Sequence, residues 1–155
     1  MTNNDILRRI RYTFDLSDSK MMEIFNLAGY QATRAEISDW LKRDDDPDHK
    51  VLYDNLLATF LNGLITYKRG KKDDVQHKPE KKLNNNIIFR KLRIALNLKD
   101  DDILEILELA DKHISKHELS AFFRKPGQSQ YRPCKDQILR NFLQGMQIKY
   151  HDNKK

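Results

Sequence analysis

Shifted by 82 residues, the chain aligns with itself without a gap. Asn3-Asn4-Asp5-Ile6-Leu7-Arg8-Arg9-Ile10-Arg11 falls on Asn85-Asn86-Ile87-Ile88-Phe89-Arg90-Lys91-Leu92-Arg93, and Phe60-Leu61-Asn62-Gly63 falls on Phe142-Leu143-Gln144-Gly145. Between Asn3 and Gly70, 18 of 68 positions are identical in the second copy. A repeat of this length is one structural unit used twice. Each copy is near the lower size limit for an independent core, so the two are expected to pack together.

The apolar positions recur at helical spacing and nowhere with period two, which predicts an all-α fold of about eight helices, four per repeat, related by an approximate twofold. Ile6, Leu7, Ile10 and Phe14 form the first stripe, and Ile88, Phe89, Leu92 and Leu96 form its copy. Asn3-Asn4 and Asn85-Asn86 are read as N-caps for these helices. Second helices follow Asp18 and Asp100. The third helices open on capping boxes, Thr33 with Glu36 and Ser115 with Glu118. Fourth helices start near Asp54 and Asp136. Gly63 and Gly145 fall inside them, where glycine costs about 1 kcal/mol relative to alanine. Its use at the same place twice predicts a neighbouring helix too close for a Cβ. The domain boundaries read as a first repeat over 1–68, a charged linker over 69–83, a second repeat over 84–150 and a disordered tail over 151–155.

The net charge of +6 is unevenly laid out: −3 over residues 1–67, +4 over 68–82, +3 over 83–148 and +2 over 149–155. The opposite charges of the repeats favour head-to-tail self-association, expected as salt-sensitive homodimers. No stretch approaches the ~20 apolar residues of a membrane span. Residues 1–12 lack the apolar run of a signal peptide. One cysteine, Cys134, excludes an intrachain disulfide, and the whole is expected to be cytoplasmic.

Few residues advertise chemistry. Arg8 and Arg11 share a helix face, and Arg90 and Arg93 repeat the pair in register. They serve either as ion-pair partners for acids kept in both repeats (Asp18/Asp100, Glu23/Glu105, Asp54/Asp136) or as a twofold anion cleft, since arginine binds carboxylate and phosphate in bidentate fashion. The acid run Asp44-Asp45-Asp46-Pro47-Asp48 fails as a calcium loop, with His49 where the turn needs glycine and Asn55 where a bidentate glutamate is needed. His113 and His117 are separated by the Ser115 cap, and no metal site is expected. Arg132 and Lys135 are near enough in sequence to lower the pKa of Cys134, but the thiol has no histidine beside it. Phosphate loops, paired zinc motifs and nucleophile elbows are absent. No catalytic residue and no cofactor is expected.

The segment from Phe122 to Lys135 is the best candidate for nucleic-acid or acidic-partner binding. Arg124, Lys125, Arg132 and Lys135 would hold a phosphate backbone, and Tyr131 would stack on a base.

Asn3 to Tyr12, Phe60 to Leu64 with Tyr67 to Gly70, Asn84 to Ile88 with Lys91 to Ala95, and Cys134 to Gln137 with Leu139-Arg140 and Phe142-Leu143 resemble the YehS-like bacterial proteins. These form a duplicated-domain family of unknown function. The resemblance spans nearly the whole chain and implies a bacterial cytoplasmic protein; it brings no activity and no catalytic residues. The residues themselves favour a non-enzymatic binding or adaptor protein for a protein or nucleic-acid partner. The alternative is a small-molecule or anion-binding regulator using Arg8, Arg11, Arg90 and Arg93 in a cleft between the repeats.

Overall fold

The structure, a computed structural model, describes residues 1–71 and 77–153. These residues form eight α-helices and no strand: α1 (Asn3–Thr13), α2 (Asp18–Leu27), α3 (Arg34–Leu41), α4 (Asp54–Arg69), α5 (Asn85–Ala95), α6 (Asp100–Leu109), α7 (Lys116–Ala121) and α8 (Asp136–Gln147). A π-helical segment, Ile148–Asp152, extends α8. It takes in His151 and Asp152, so the tail expected to be disordered from 151 is ordered for at least those two residues; residues 154–155 lie outside the described ones.

Local signals place the helices. The capping boxes at Thr33/Glu36 and Ser115/Glu118 are both closed, each hydroxyl accepting from the N–H three residues on and each carboxylate accepting from the cap N–H. The α1–α2 and α5–α6 turns each use one left-handed residue, Asp15 at φ 52° and Asn97 at φ 53°. Short polar side chains tolerate that conformation best after glycine.

Within each repeat the fourth helix packs on the second, α4 on α2 and α8 on α6. Gly63 and Gly145 make this approach possible: a Cβ on either would run into the carbonyl of Ile24 or Ile106, at 2.9 and 2.8 Å from the carbonyl carbons. The aromatic core is shared out differently in the two copies. Phe25 of α2 meets Trp40 and Phe60 at ring distances of 5.4 and 5.1 Å. In the second repeat Phe89 of α5 supplies that ring, 4.5 Å from Phe142, while Leu107 stands at the position of Phe25 and Leu7 at that of Phe89. The exchange conserves volume within the core of each repeat.

Between repeats, the first helix of one copy packs on the fourth helix of the other, α1 on α8 and α5 on α4. Twin hydrogen bonds mark the relation: Arg9 donates to Gln144 at 2.7 Å and Lys91 donates to Asn62 at 2.6 Å. The apolar interiors of the repeats join in one continuous core. Each interface runs with its helices parallel. Along α4 and α5 the contacts advance together, Leu83 N–H to Asp54 (2.8 Å), Lys91 to Asn62, and Arg69 to the Ile94 carbonyl (3.4 Å).

Candidate functional site

The Asn doublets are not caps. Thr2 caps α1, in a box with Asp5, and Asn84 caps α5. Asn4 and Asn86 are buried inside their helices and clamp the loop between the third and fourth helices. The Asn4 amide donates to the carbonyls of Trp40 (2.9 Å) and Lys50 (2.8 Å), and its oxygen accepts from Leu52 N–H at 3.0 Å. Asn86 repeats this on Phe122, Arg132 and Cys134 at 3.0, 2.9 and 2.9 Å. Asn3 and Asn85 add bonds to the Leu52 and Cys134 carbonyls and to Asp54 and Asp136. The Asn85 bond is the main reason the Asp136 carboxyl is held below its ordinary range.

The duplicated arginines do not converge. Arg11 and Arg93 turn to the acid that opens the next helix, Asp18 at 4.0 Å and Asp100 at 2.8 Å. Arg8 pairs with Asp5 and donates to the Lys42 carbonyl at 2.7 Å, and Arg90 donates to the Phe123 carbonyl at 2.7 Å. Those carbonyls close α3 and α7, where a cation is favoured by the helix dipole. Each pair binds its own repeat, and Arg8 and Arg90 line different cavities. Of the two readings of these arginines, the geometry follows the ion-pair one, as two intrarepeat braces, and the four guanidiniums line no common cleft.

The loop joining α7 to α8 carries the cationic set. Arg124, Lys125, Arg132 and Lys135 are all exposed. Among the described residues none of the four lies within 4.0 Å of a carboxylate. Arg132 is turned back onto the carbonyls of Ser129 and Tyr131. Tyr131 is half-buried rather than open. The matching loop of the first repeat is acidic: Asp44 pairs with Arg8 at 3.7 Å and His49 at 3.3 Å, and Asp45 with Arg43 at 3.7 Å. The part of the lysine-rich connector at 72–76, which would extend the basic surface, lies outside the described residues.

Cys134 is buried, and burial pushes its thiol up to about 12, with the Asp136 charge adding to the effect. The nearby cations do not offset this: Arg132 is turned onto the Ser129 and Tyr131 carbonyls and Lys135 is exposed. The thiol is protonated at neutral pH and is expected to react with a disulfide reagent at pH 8 only on unfolding. Rapid labelling of the folded protein would contradict that. His113 faces Glu108 at 3.2 Å, on the turn before α7, whereas His117 is inside that helix. Among the described residues no three His, Cys, Asp or Glu side chains gather as a metal would need. None of the described helices is long and apolar enough to cross a membrane.

Two copies of one family model, protein of unknown function (DUF1456), match residues 3–70 and 85–151. The chain belongs to this family. The matched segments coincide with the two four-helix units, so the family's unit is α1–α4 and occurs here in tandem. The Uncharacterized protein YehS of Escherichia coli (strain K12) is 41% identical over 155 residues, covering 99% of each chain. No solved structure matches. Sequence inspection missed the Asn clamps and the α1–α8 and α5–α4 pairing. The one available signal was that the Asn doublet and the Asp54/Asp136 pair are kept together in both copies.

Proposed function

We propose that the protein is a cytoplasmic, non-enzymatic binding protein that holds nucleic acid on its α7–α8 loop. The observation that carries this reading is the exposed, acid-free set Arg124, Lys125, Arg132 and Lys135, set against an acidic loop at the twin position. Phosphate contacts need cations that are not already spent on carboxylates, and a polyanion would be repelled by Asp44–Asp48. The polar groups elsewhere support a binding role over catalysis: the clamp asparagines and the brace arginines are committed to backbone and to acids, and the thiol is protonated.

The test is the salt dependence of binding to a labelled duplex and a labelled single strand. Log affinity should fall with log salt by about 0.9 per duplex phosphate neutralised. Changing Arg124, Lys125, Arg132 and Lys135 together to Gln should flatten that slope by about 3 units, with circular dichroism unchanged. Binding that keeps its slope in this variant sinks the reading.

A second reading is favoured by the same charge contrast. The acidic loop of one copy fits the basic loop of another, a head-to-tail contact. Sedimentation should then show dimers at low salt that dissociate near physiological ionic strength, as exposed pairs are screened over about 8 Å.

A further inference from the structure

The pairing of α1 with α8 and of α5 with α4 creates two grooves that are twins under the repeat. One lies between α5 and α4, a cavity of about 440 Å³ lined by Ile65, Ile87, Arg90, Lys91 and Ile94 among others. Its twin lies between α1 and α8, a cavity of about 520 Å³ lined at the equivalent positions by Gln147, Asp5, Arg8, Arg9 and Tyr12. The first groove is walled on one side by the chain's own connector. Because α4 and α5 run parallel, the chain has to come back toward the start of α4 before α5 opens, and the described residues from His77 to Glu80 pass beside this groove. His77, Lys78 and Glu80 form part of the cavity wall. Glu80 places its carboxylate 3.0 Å from the Lys91 ammonium, which is only 12% exposed.

No described segment takes that place over α1 and α8. Arg9, the twin of Lys91, makes one side-chain hydrogen bond among the described residues, to Gln144, and no ion pair. Arginine has five N–H donors, so most of its capacity is unused. Arg140 lines the same cavity where the twin position holds Ala58; among the described residues it has no carboxylate within 4.0 Å, bonds Gln137 at 3.5 Å and feels the Asp136 charge one turn back along α8. Asp5, the acid in the wall, is already joined to Arg8. The groove thus keeps the cation that holds Glu80 in its twin and adds a second, while the two acids beside it are already engaged, Asp5 with Arg8 and Asp136 with the Met1 ammonium at 3.7 Å and the Asn85 amide.

We propose that the α1–α8 groove is a receptor for an acidic side chain on an extended segment of a partner protein, with Arg9 in the role of Lys91 and Arg140 as a second cation. The connector's own Pro79-Glu80 shows the manner of binding: a non-helical segment passes beside the groove and sets one carboxylate on the buried-stem cation. This site is separate from the α7–α8 loop and does not depend on it.

The test uses the full chain, ¹⁵N-labelled, titrated with the blocked peptide Ac-Ala-Ala-Pro-Glu-Ala-Ala-NH₂ at low salt. Saturable shifts are expected on α1 and α8. The Gln counterpart of the peptide should bind at least about tenfold more weakly, as expected for loss of a charge-assisted pair. Free acetate probes the other source of a carboxylate and should also be at least about tenfold weaker than the peptide. Arg9→Lys should keep binding within about threefold, since lysine does this work in the twin groove, whereas Arg9→Gln with Arg140→Gln should weaken it by about tenfold or more. Arg140→Gln alone, at an exposed position, covers the case in which the double variant fails to fold, and should weaken binding measurably. Changing the four α7–α8 loop cations to Gln should leave peptide binding intact, even where it abolishes nucleic-acid binding. Absence of saturation by about 20 mM, equal binding of the Gln peptide or of acetate, or indifference to the Arg140 change would each overturn the proposal.

Discussion

Gly63→Ala and Gly145→Ala are each expected to destabilise the protein by about 3 kcal/mol or more, among the largest effects of any single methyl addition. Taken alone, alanine inside a helix should be worth about 1 kcal/mol over glycine, so the sign of the result is diagnostic. The clash decides it. The new Cβ would meet the backbone carbonyl of Ile24 or Ile106, with the isoleucine Cγ2 a further obstacle at 3.2 and 2.8 Å. A backbone carbonyl in mid-helix has no rotamer to give way, and the core around it is continuous. Gly127→Ala is the control, because nothing lies within 4 Å of the Cβ it would add. Urea midpoints of the three variants would settle the matter. A stabilised Gly63 or Gly145 variant would mean that α4 or α8 stands farther from its neighbour than described.

Asn4→Ala and Asn86→Ala should each cost about 3 kcal/mol, because each strands a buried N–H and two carbonyls of the long loop, at roughly 1–3 kcal/mol per unsatisfied group. Changing the same positions to Asp separates the hydrogen-bond argument from simple volume. The carboxylate keeps the acceptor for Leu52 or Cys134 but sets negative charge against two carbonyl oxygens. At neutral pH the Asp variants should be less stable than the Ala variants. Their deficit should shrink as the pH falls through the raised carboxyl pKa, since protonation restores one donor. Chemical denaturation of both variants at pH 5 and pH 7.5 reads this directly. An Asp variant as stable as the parent at pH 7.5 would show that the amide donors do not matter.

The clamp also shows where a sequence stops being readable. The capping boxes at Thr33 and Ser115 were legible because donor and acceptor lie three residues apart. The Asn doublets carry the same polar signal, but their partners lie 36 to 51 residues away, so a local reading turns them into caps. The arginine pairs were visible as pairs for the same reason that their role was not. Register along one helix gives the face that they share, not the helix end or acid that the face meets. Gly63 and Gly145 were legible as close approaches, since repetition of a costly residue needs a steric cause. The pairing of first and fourth helices across the repeats was not. The apolar stripe of α4 is nearly the same as that of α8, so pattern alone gives α1 two equivalent partners and no reason to choose. The open groove was hidden by the same ambiguity, because Arg9 and Arg140 become neighbours only once α1 is assigned to α8.

That assignment also sets a clock. Arg9 and Gln144, which hold α1 to α8, are 135 residues apart in the chain. At a synthesis rate of about 5–20 residues per second, α1 leaves the ribosome roughly 7 to 27 s before its partner exists. Through that interval the side of α1 that meets α8 has no permanent cover, and only its contacts with the first repeat, the bonds of Asn4 and Arg8 among them, can hold it. The second repeat, whose α5 finds α4 already made, meets no such delay. Nascent chains arrested before α8 should therefore be cut by protease more readily in α1 than in α2 or α4, and synthesis through α8 should remove the difference.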